Sequence, residues 1–224
     1  GNTGIALSAV AASLGLPCFI FMPSNMSEER KKMFKFYGAN LIEVEEGDFD
    51  GAIEMRNDLC KAKGWFNCNQ FHNRLNIEAH YNNTGIEIIK QWKNTTAPDA
   101  FILGTGTGGT LMGCGKRLKE HWNGIKIIAV EPEESAVMSG GQQGLHGIQG
   151  IGDGSKFLVD LDFVDEIKTV KTKCAKIIAK YMASKYGLFV GISAGANIKA
   201  SFEWLRDNNK TNAITILCDR GERY

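Results

Sequence analysis

The regular alternation of helix-like and strand-like segments is the feature that most constrains the fold of this chain. Short apolar runs predict strands at residues 17–22, 41–44, 65–68, 100–103, 125–130, 167–170 and 213–217. Amphipathic or apolar patterns predict helices at residues 5–14, 27–38, 49–63, 86–92, 109–120, 174–186 and 196–208. Alternating units of this kind are typical of mainly parallel sheets covered by helices on both faces. The sequence therefore predicts a doubly wound α/β fold.

Charge and cysteine content exclude several classes of function. The 224 residues carry 26 Lys and Arg against 25 Asp and Glu, so no basic surface for nucleic acid is expected. The six cysteines are scattered, without a paired spacing or clustered histidines, and predict reduced core residues rather than a metal site. Nothing at the start of the sequence resembles a signal peptide, and no apolar run approaches the ~20 residues that span a bilayer, so neither secretion nor membrane anchoring is expected. A cytoplasmic protein that binds a small molecule is therefore expected.

A glycine-rich run from Gly104 to Thr110, between a predicted strand and a predicted helix, is the strongest local motif. Backbone without side chains lets several N–H groups converge on one oxyanion, and the helix that follows adds its positive end. The run therefore predicts a phosphate site; the alternative is a tight turn with no ligand. A dinucleotide site is a second alternative, with Glu131 as the acidic residue, but the G-x-G-x-G-G spacing fits that fingerprint poorly.

Two shorter motifs place polar side chains at the starts of predicted helices. Gly1-Asn2-Thr3-Gly4 could direct backbone donors at an anion, although Asn and Thr also cap helices routinely. Gly191-Ile192-Ser193-Ala194-Gly195 places a hydroxyl on a glycine-bounded turn before a helix. This motif could also be a hydrolase nucleophile elbow, but all four histidines precede the serine, so a serine hydrolase is not expected.

Six motifs in order resemble the cysteine synthase (O-acetylserine sulfhydrylase) family of fold-type II pyridoxal phosphate enzymes. They are Gly1 to Gly4, Met22-Pro23 with Met26-Ser27 and Glu29-Arg30, Asn69-Gln70-Phe71, Gly106 to Thr110, Gln149-Gly150-Ile151-Gly152, and Gly191 to Gly195. The resemblance covers nearly the whole chain. It implies a tryptophan synthase β-like fold with two lobes, each with a mainly parallel sheet covered by helices. Residues 1–80 would be the remainder of the smaller N-terminal lobe and residues 81–224 the larger cofactor-binding lobe.

The resemblance also implies a role for each matching residue. The cofactor would be bound by Asn2, Gly106, Thr107, Gly108, Gly109, Thr110 and Ser193, with the glycine–threonine run around the phosphate and Ser193 facing the pyridine nitrogen. The amino-acid substrate would be bound by Asn2, Thr3, Gln70, Gly150 and Ile151. The loop at residues 133–156, of which Gly152 is also part, would close over the substrate and exclude water.

This sequence departs from the pattern of the family at several points. The lysine that binds the cofactor covalently belongs upstream of the Gly-Asn-Thr-Gly motif, so the resemblance implies a fragment that is inactive unless that segment is supplied. No lysine in the chain is predicted to replace it. Arg74-Leu75 stands where Pro-Ala is customary, and Gly152-Asp153-Gly154 stands where Gly-Ala-Gly is customary, which adds a charge near the substrate.

The resemblance implies a transferase or lyase that makes L-cysteine from O-acetylserine and sulfide by β-replacement. A cystathionine β-synthase or cysteine desulfhydrase relative is the alternative among enzymes. A non-catalytic scaffold that binds cofactor or peptide is the alternative outside them. A homodimer is implied, as is docking of the C-terminal tail of serine acetyltransferase.

Overall fold

Parallel strands organise the chain in a computed structural model that describes residues 1–224. The strands are β1 (Phe19–Pro23), β2 (Asn40–Val44), β3 (Ala100–Gly104), β4 (Lys126–Pro132), β5 (Glu166–Val170) and β6 (Ala213–Ile214). The helices are α1 (Asn2–Leu14), α2 (Glu28–Phe36), α3 (Phe49–Lys63), α4 (Leu75–Ala79), α5 (Gly85–Gln91), α6 (Gly109–His121), α7 (Thr172–Tyr186) and α8 (Ile192–Asp207). A π-helix, His80–Thr84, joins α4 to α5 without a break. None of these helices is both long and apolar enough to cross a bilayer.

The chain divides into two compact units. The first contains residues 1–69 together with Arg223 and Tyr224, and the second contains residues 70–222. The division falls between Asn69 and Gln70, whereas the resemblance implies a lobe boundary after residue 80.

The first unit is built on a parallel pair of strands, β1 and β2, in which Phe19 aligns with Asn40. Its core is the apolar cluster of Ile5, Ile20, Met22, Phe34 and Ala39. Helix α3 begins at an N-cap in which the Asp48 carboxylate accepts from Gly51 N at 2.8 Å, and it ends at Gly64, whose φ of 66° is left-handed.

The second unit contains a four-stranded parallel sheet in the order β5-β4-β3-β6. Alternate residues of β3 belong to different apolar clusters, because successive side chains of a strand point to opposite faces. Ala100 and Ile102 pack with α8, whereas Phe101 and Leu103 pack with α6. All four side chains are at most 2 % exposed. Both faces of the sheet are therefore covered, and the predicted α/β class is confirmed.

The sequence predictions fail at four places. Residues 65–68 form no strand, the strand predicted at 213–217 is reduced to Ala213–Ile214, and the helical segment at 75–84 was not predicted. Helix α8 begins at Ile192 rather than at Ala196, so Ser193 lies in the first turn of the helix and not on a turn before it.

All six cysteines are free, but only Cys114 is fully buried and Cys218 is exposed, so the prediction of core positions was wrong for Cys218.

Candidate cofactor site

The glycine-rich run leads from the carboxyl end of β3 into the N-terminus of α6. Gly108 is the N-cap of α6 and has a φ of 85°, a left-handed conformation that favours glycine. The backbone N–H groups of Gly106, Thr107, Gly108, Thr110 and Leu111 make no hydrogen bond within the protein. Because the positive end of the α6 dipole lies at the same place, these donors suit a phosphate dianion.

Tight packing around the run explains why glycines occupy it. A Cβ at Gly106 would lie 2.6 Å from Gly150 O, and a Cβ at Gly108 would lie 2.5 Å from Val159 Cγ2. Side chains at these positions would therefore clash with Gly150 and Val159 and displace the run that carries the donors. The residues present fit the phosphate group of a bound cofactor.

The segment Gly150-Ile151-Gly152, called the wall below, packs directly on the glycine-rich run. Gly152 N donates to Thr105 O at 3.0 Å, and the Ile151 side chain is 4 % exposed and lies against Gly104. His146 Nε2 lies 3.1 Å from Gly152 O, and the Ile148 N–H lies 3.3 Å from His146 Nδ1. The His146 ring therefore helps to hold the wall in place.

Ser193 is brought to the site through its neighbour on α8. Ser193 is 4 % exposed, and its hydroxyl makes no hydrogen bond within the protein. Asn197 lies one turn later on the same helix and is fully buried. Its Oδ1 accepts from Gly104 N at 2.7 Å, and its Nδ2 donates to Ile216 O at 2.9 Å. Asn197 therefore fixes the helix that carries Ser193 to the start of the glycine-rich run.

Gln70 is joined to the glycine-rich run through a second asparagine. The side chain of Asn76 donates from Nδ2 to Gln70 O at 3.2 Å and to Thr107 Oγ1 at 3.0 Å. Sequence reasoning missed both Asn76 and Asn197, because a lone asparagine has no motif. The helical spacing of Asn197 four residues after Ser193 was the one signal available.

Asn2 and Thr3 lie in the first turn of α1, in the first unit, and both are exposed. The Asn2 Oδ1 atom accepts from Arg223 Nη1 at 2.6 Å. Arg223 belongs to the same unit, and its carbonyl oxygen accepts from Ser27 Oγ at 3.3 Å. The amide of Asn2 is thus held on one side by an arginine that no motif singled out.

The dinucleotide alternative is wrong at Glu131. This carboxylate is 2 % exposed and accepts from Met138 N at 2.8 Å, from Ser139 N at 2.9 Å and from Ser139 Oγ at 2.5 Å. Buried and with three of its roughly four acceptor sites used in this way, Glu131 anchors the start of the long loop after β4 and is not placed to bind a ribose.

Comparison with known proteins decides the family. Residues 1–219 match the family described as pyridoxal-phosphate dependent enzyme. A cysteine synthase of Staphylococcus aureus is 39% identical over 229 residues, which cover 100% of this chain and 73% of that protein. The chain belongs to the cysteine synthase family of pyridoxal phosphate-dependent enzymes. The resemblance drawn from its motifs is confirmed, and so is the cofactor.

Solved structures of this family match the fold throughout. A hydrogen sulfide-producing enzyme of Fusobacterium nucleatum superposes with a TM-score of 0.95 at 40% identity, covering 100% of this chain and 69% of that one. A cysteine synthase of Entamoeba histolytica superposes with a TM-score of 0.91 at 42% identity, covering 100% of this chain and 67% of that one. The fold-type II prediction is confirmed.

Proposed function

We propose that the protein makes L-cysteine from O-acetylserine and sulfide by β-replacement. The observation that carries the proposal is the group of unbonded N–H donors at the N-terminus of α6, which fits a phosphate in a chain of the cysteine synthase family. Pyridoxal phosphate, when bound, supplies an electron sink for bonds that break at the α- and β-carbons of an amino acid.

The cofactor-binding residues divide the work between the two ends of the cofactor. Gly106, Thr107, Gly108, Gly109 and Thr110 would bind the phosphate through backbone N–H groups and two hydroxyls. Ser193, buried and without a hydrogen bond in the protein, would donate its hydroxyl proton to the pyridine nitrogen. A neutral hydroxyl leaves that nitrogen largely unprotonated, which suits elimination at the β-carbon better than chemistry that requires a deeper electron sink.

The substrate-binding residues would hold an amino acid by its carboxylate and keep water away. In the first unit, Asn2 and Thr3 are the proposed ligands, with Asn2 also proposed to bind the cofactor. In the second unit, Gln70 is proposed as a carboxylate ligand, and Gly150 and Ile151 as a wall that excludes water. The Ile151 side chain packs against Gly104, at the start of the glycine-rich run. This contact supports the assignment, because it puts the wall next to the proposed phosphate site.

Three further statements belong to the same proposal. The protein is proposed to act in the cytoplasm, to form a homodimer, and to accept the C-terminal tail of serine acetyltransferase as a peptide partner. Each follows from the family and can be tested separately, by fractionation, by sedimentation and by binding of a synthetic peptide.

The decisive experiment is a product assay on the full-length protein loaded with pyridoxal phosphate. O-acetylserine and sulfide should give L-cysteine, and Ser193→Ala should slow this reaction while leaving the affinity for inorganic phosphate unchanged. Ser184→Ala, at an exposed hydroxyl that donates to Tyr181 O, is the matched control. Release of sulfide from L-cysteine with no cysteine synthesis would replace the proposal with a hydrogen sulfide-producing activity.

A further inference from the structure

Both threonine hydroxyls of the proposed phosphate site contact one helical segment that no motif identified. This segment runs from Leu75 to Thr84 and combines α4 with the π-helix. Asn76 Nδ2 lies 3.0 Å from Thr107 Oγ1, and His80 Nε2 lies 3.0 Å from Thr110 Oγ1. Single turns of π-helix occur frequently at functional sites.

The hydrogen bonds of Thr107 fix the direction of its hydroxyl proton. A hydroxyl has one proton to donate and two lone pairs to accept with. Asn76 Nδ2 donates to Thr107 Oγ1, and so does Gly109 N at 3.3 Å. With both lone pairs occupied, the proton points away from these two donors and is available to an acceptor outside the protein.

The imidazole of His80 can do the same for Thr110. Burial lowers the pKa of His80, so the ring is neutral and donates from one nitrogen only. With the proton on Nε2, Thr110 Oγ1 accepts and keeps its own proton for another partner, while Nδ1, 3.0 Å from Thr84 Oγ1, accepts from Thr84. The opposite tautomer would use up the Thr110 proton. An anion near Thr110 would therefore select the tautomer protonated at Nε2.

Close approach of the segment to α6 keeps both side chains in place. A Cβ at Gly109 would overlap the Asn76 amide, and a Cβ at Gly113 would lie 2.7 Å from His80 Cβ. The two glycines of α6 thus allow the contacts that the two polar side chains make. Such packing leaves the amide and the imidazole little rotational freedom.

We propose that Asn76 and His80 are positioning residues that direct the hydroxyl protons of Thr107 and Thr110 towards the cofactor phosphate. Asn76 in addition joins the phosphate site to the main chain of Gln70, a proposed substrate ligand. This inference rests on the phosphate site proposed above.

The test compares two ligands that differ only in the phosphate. Apoprotein is titrated by calorimetry with pyridoxal phosphate and with pyridoxal. Asn76→Ala should weaken pyridoxal phosphate about tenfold, the usual effect of losing a hydrogen bond to a charged group, and should leave pyridoxal nearly unchanged. Asn76→Asp should weaken it further, because a carboxylate would accept the Thr107 proton and repel the phosphate. Asn83→Ala, at an exposed amide of the π-helix that donates to Ala79 O, is the matched control.

Non-additivity separates positioning from a general loss of structure. If Asn76 acts through Thr107, then adding Asn76→Ala to the Thr107→Val variant should lower the affinity for pyridoxal phosphate little further. Additive losses, or equal losses for pyridoxal and pyridoxal phosphate, would overturn the inference. For His80, nitrogen NMR of the wild-type protein with bound phosphate should show the proton on Nε2, and finding it on Nδ1 would overturn that part without any variant.

The controls also separate this inference from the site on which it depends. If the wild-type protein binds pyridoxal as tightly as pyridoxal phosphate and inorganic phosphate does not compete, the phosphate site itself is wrong. If the wild type prefers the phosphate and Asn76→Ala keeps that preference in full, the phosphate site stands and the positioning role is wrong.

Discussion

Single residues set the geometry of the cofactor site, and Gly108 shows how a backbone conformation and a space requirement coincide. Gly108→Ala should lower the affinity for pyridoxal phosphate more than tenfold, because its Cβ would lie 2.5 Å from Val159 Cγ2 and 2.9 Å from Val159 N. Gly140→Ala is the control, since Gly140 has a φ of 84° with nothing within 4 Å of the added atom. It should cost only the left-handed strain of about 1 kcal/mol. Fluorescence titration and urea unfolding measure the two effects, and equal losses in both variants would contradict this account.

Asn197 is a fully buried residue whose side chain joins α8 to Gly104 and to Ile216. Asn197→Ala should lower the free energy of unfolding by about 2–4 kcal/mol, because Gly104 N and Ile216 O would both lose a buried partner. Asn208→Ala, at the exposed C-cap of the same helix, whose side chain donates to Trp204 O, should cost much less. Urea denaturation of both variants measures the free energy of unfolding. A loss for Asn197→Ala no larger than that for Asn208→Ala would show that the Asn197 hydrogen bonds do not stabilise the fold.

At the scale of elements, the sequence predicts what periodicity encodes and misses what packing imposes. The strand at residues 100–103 is apolar at every position and was predicted almost to the residue, because both of its faces are buried. Helix α4 and the π-helix are rich in Asn, a poor helix former, and they hold their shape by packing on α6 across Gly113. Similarly, Ser193 and Gly195 are weak helix formers, and the sequence predicts that α8 begins at Ala196. Close packing of Gly195 on Ala175 O accompanies the actual start at Ile192, four residues earlier.

The same limit applies to the candidate site. The glycine–threonine run could be found because its composition is local and unusual. Asn76 and His80 could not, because their importance arises from contacts with Thr107 and Thr110, some 30 residues away in the chain. Residues that act through a partner leave no pattern in a single sequence.

The π-helix makes the stability of the fold depend on pH through its first residue, His80. Burial lowers the pKa of His80 below 6.5, so the folded state binds this proton less well than the unfolded state does. Stability from this group is complete above the unfolded pKa and is lost as pH falls through 6.5 towards the lower folded pKa. The neighbouring Cys114 thiol does not titrate there, since burial, with a smaller contribution from Glu87, raises its pKa to about 12.

Apoprotein should therefore lose more stability between pH 8 and pH 5.5 than the His80→Gln variant does. Gln keeps an amide donor towards Thr110 but has no proton to gain, so the difference between the two curves isolates His80. Urea unfolding at the two pH values measures it. Parallel losses in the two proteins would show that the ring is protonated as easily in the folded as in the unfolded state.

At the scale of the whole molecule, cofactor binding and folding of the second unit are linked. A ligand that binds only the folded state at 100 times its Kd adds about 2.7 kcal/mol to the free energy of unfolding. Pyridoxal phosphate should therefore raise the unfolding midpoint of apoprotein, and hydrogen exchange should slow at the N–H groups of Gly106, Thr107, Gly108, Thr110 and Leu111, which have no acceptor in the protein. Pyridoxal should not slow exchange at those amides, because it lacks the phosphate that they are proposed to bind. Gly108→Ala should abolish the protection, whereas Gly140→Ala should retain it. Protection that is spread evenly over residues 70–222 and survives Gly108→Ala would place the phosphate elsewhere.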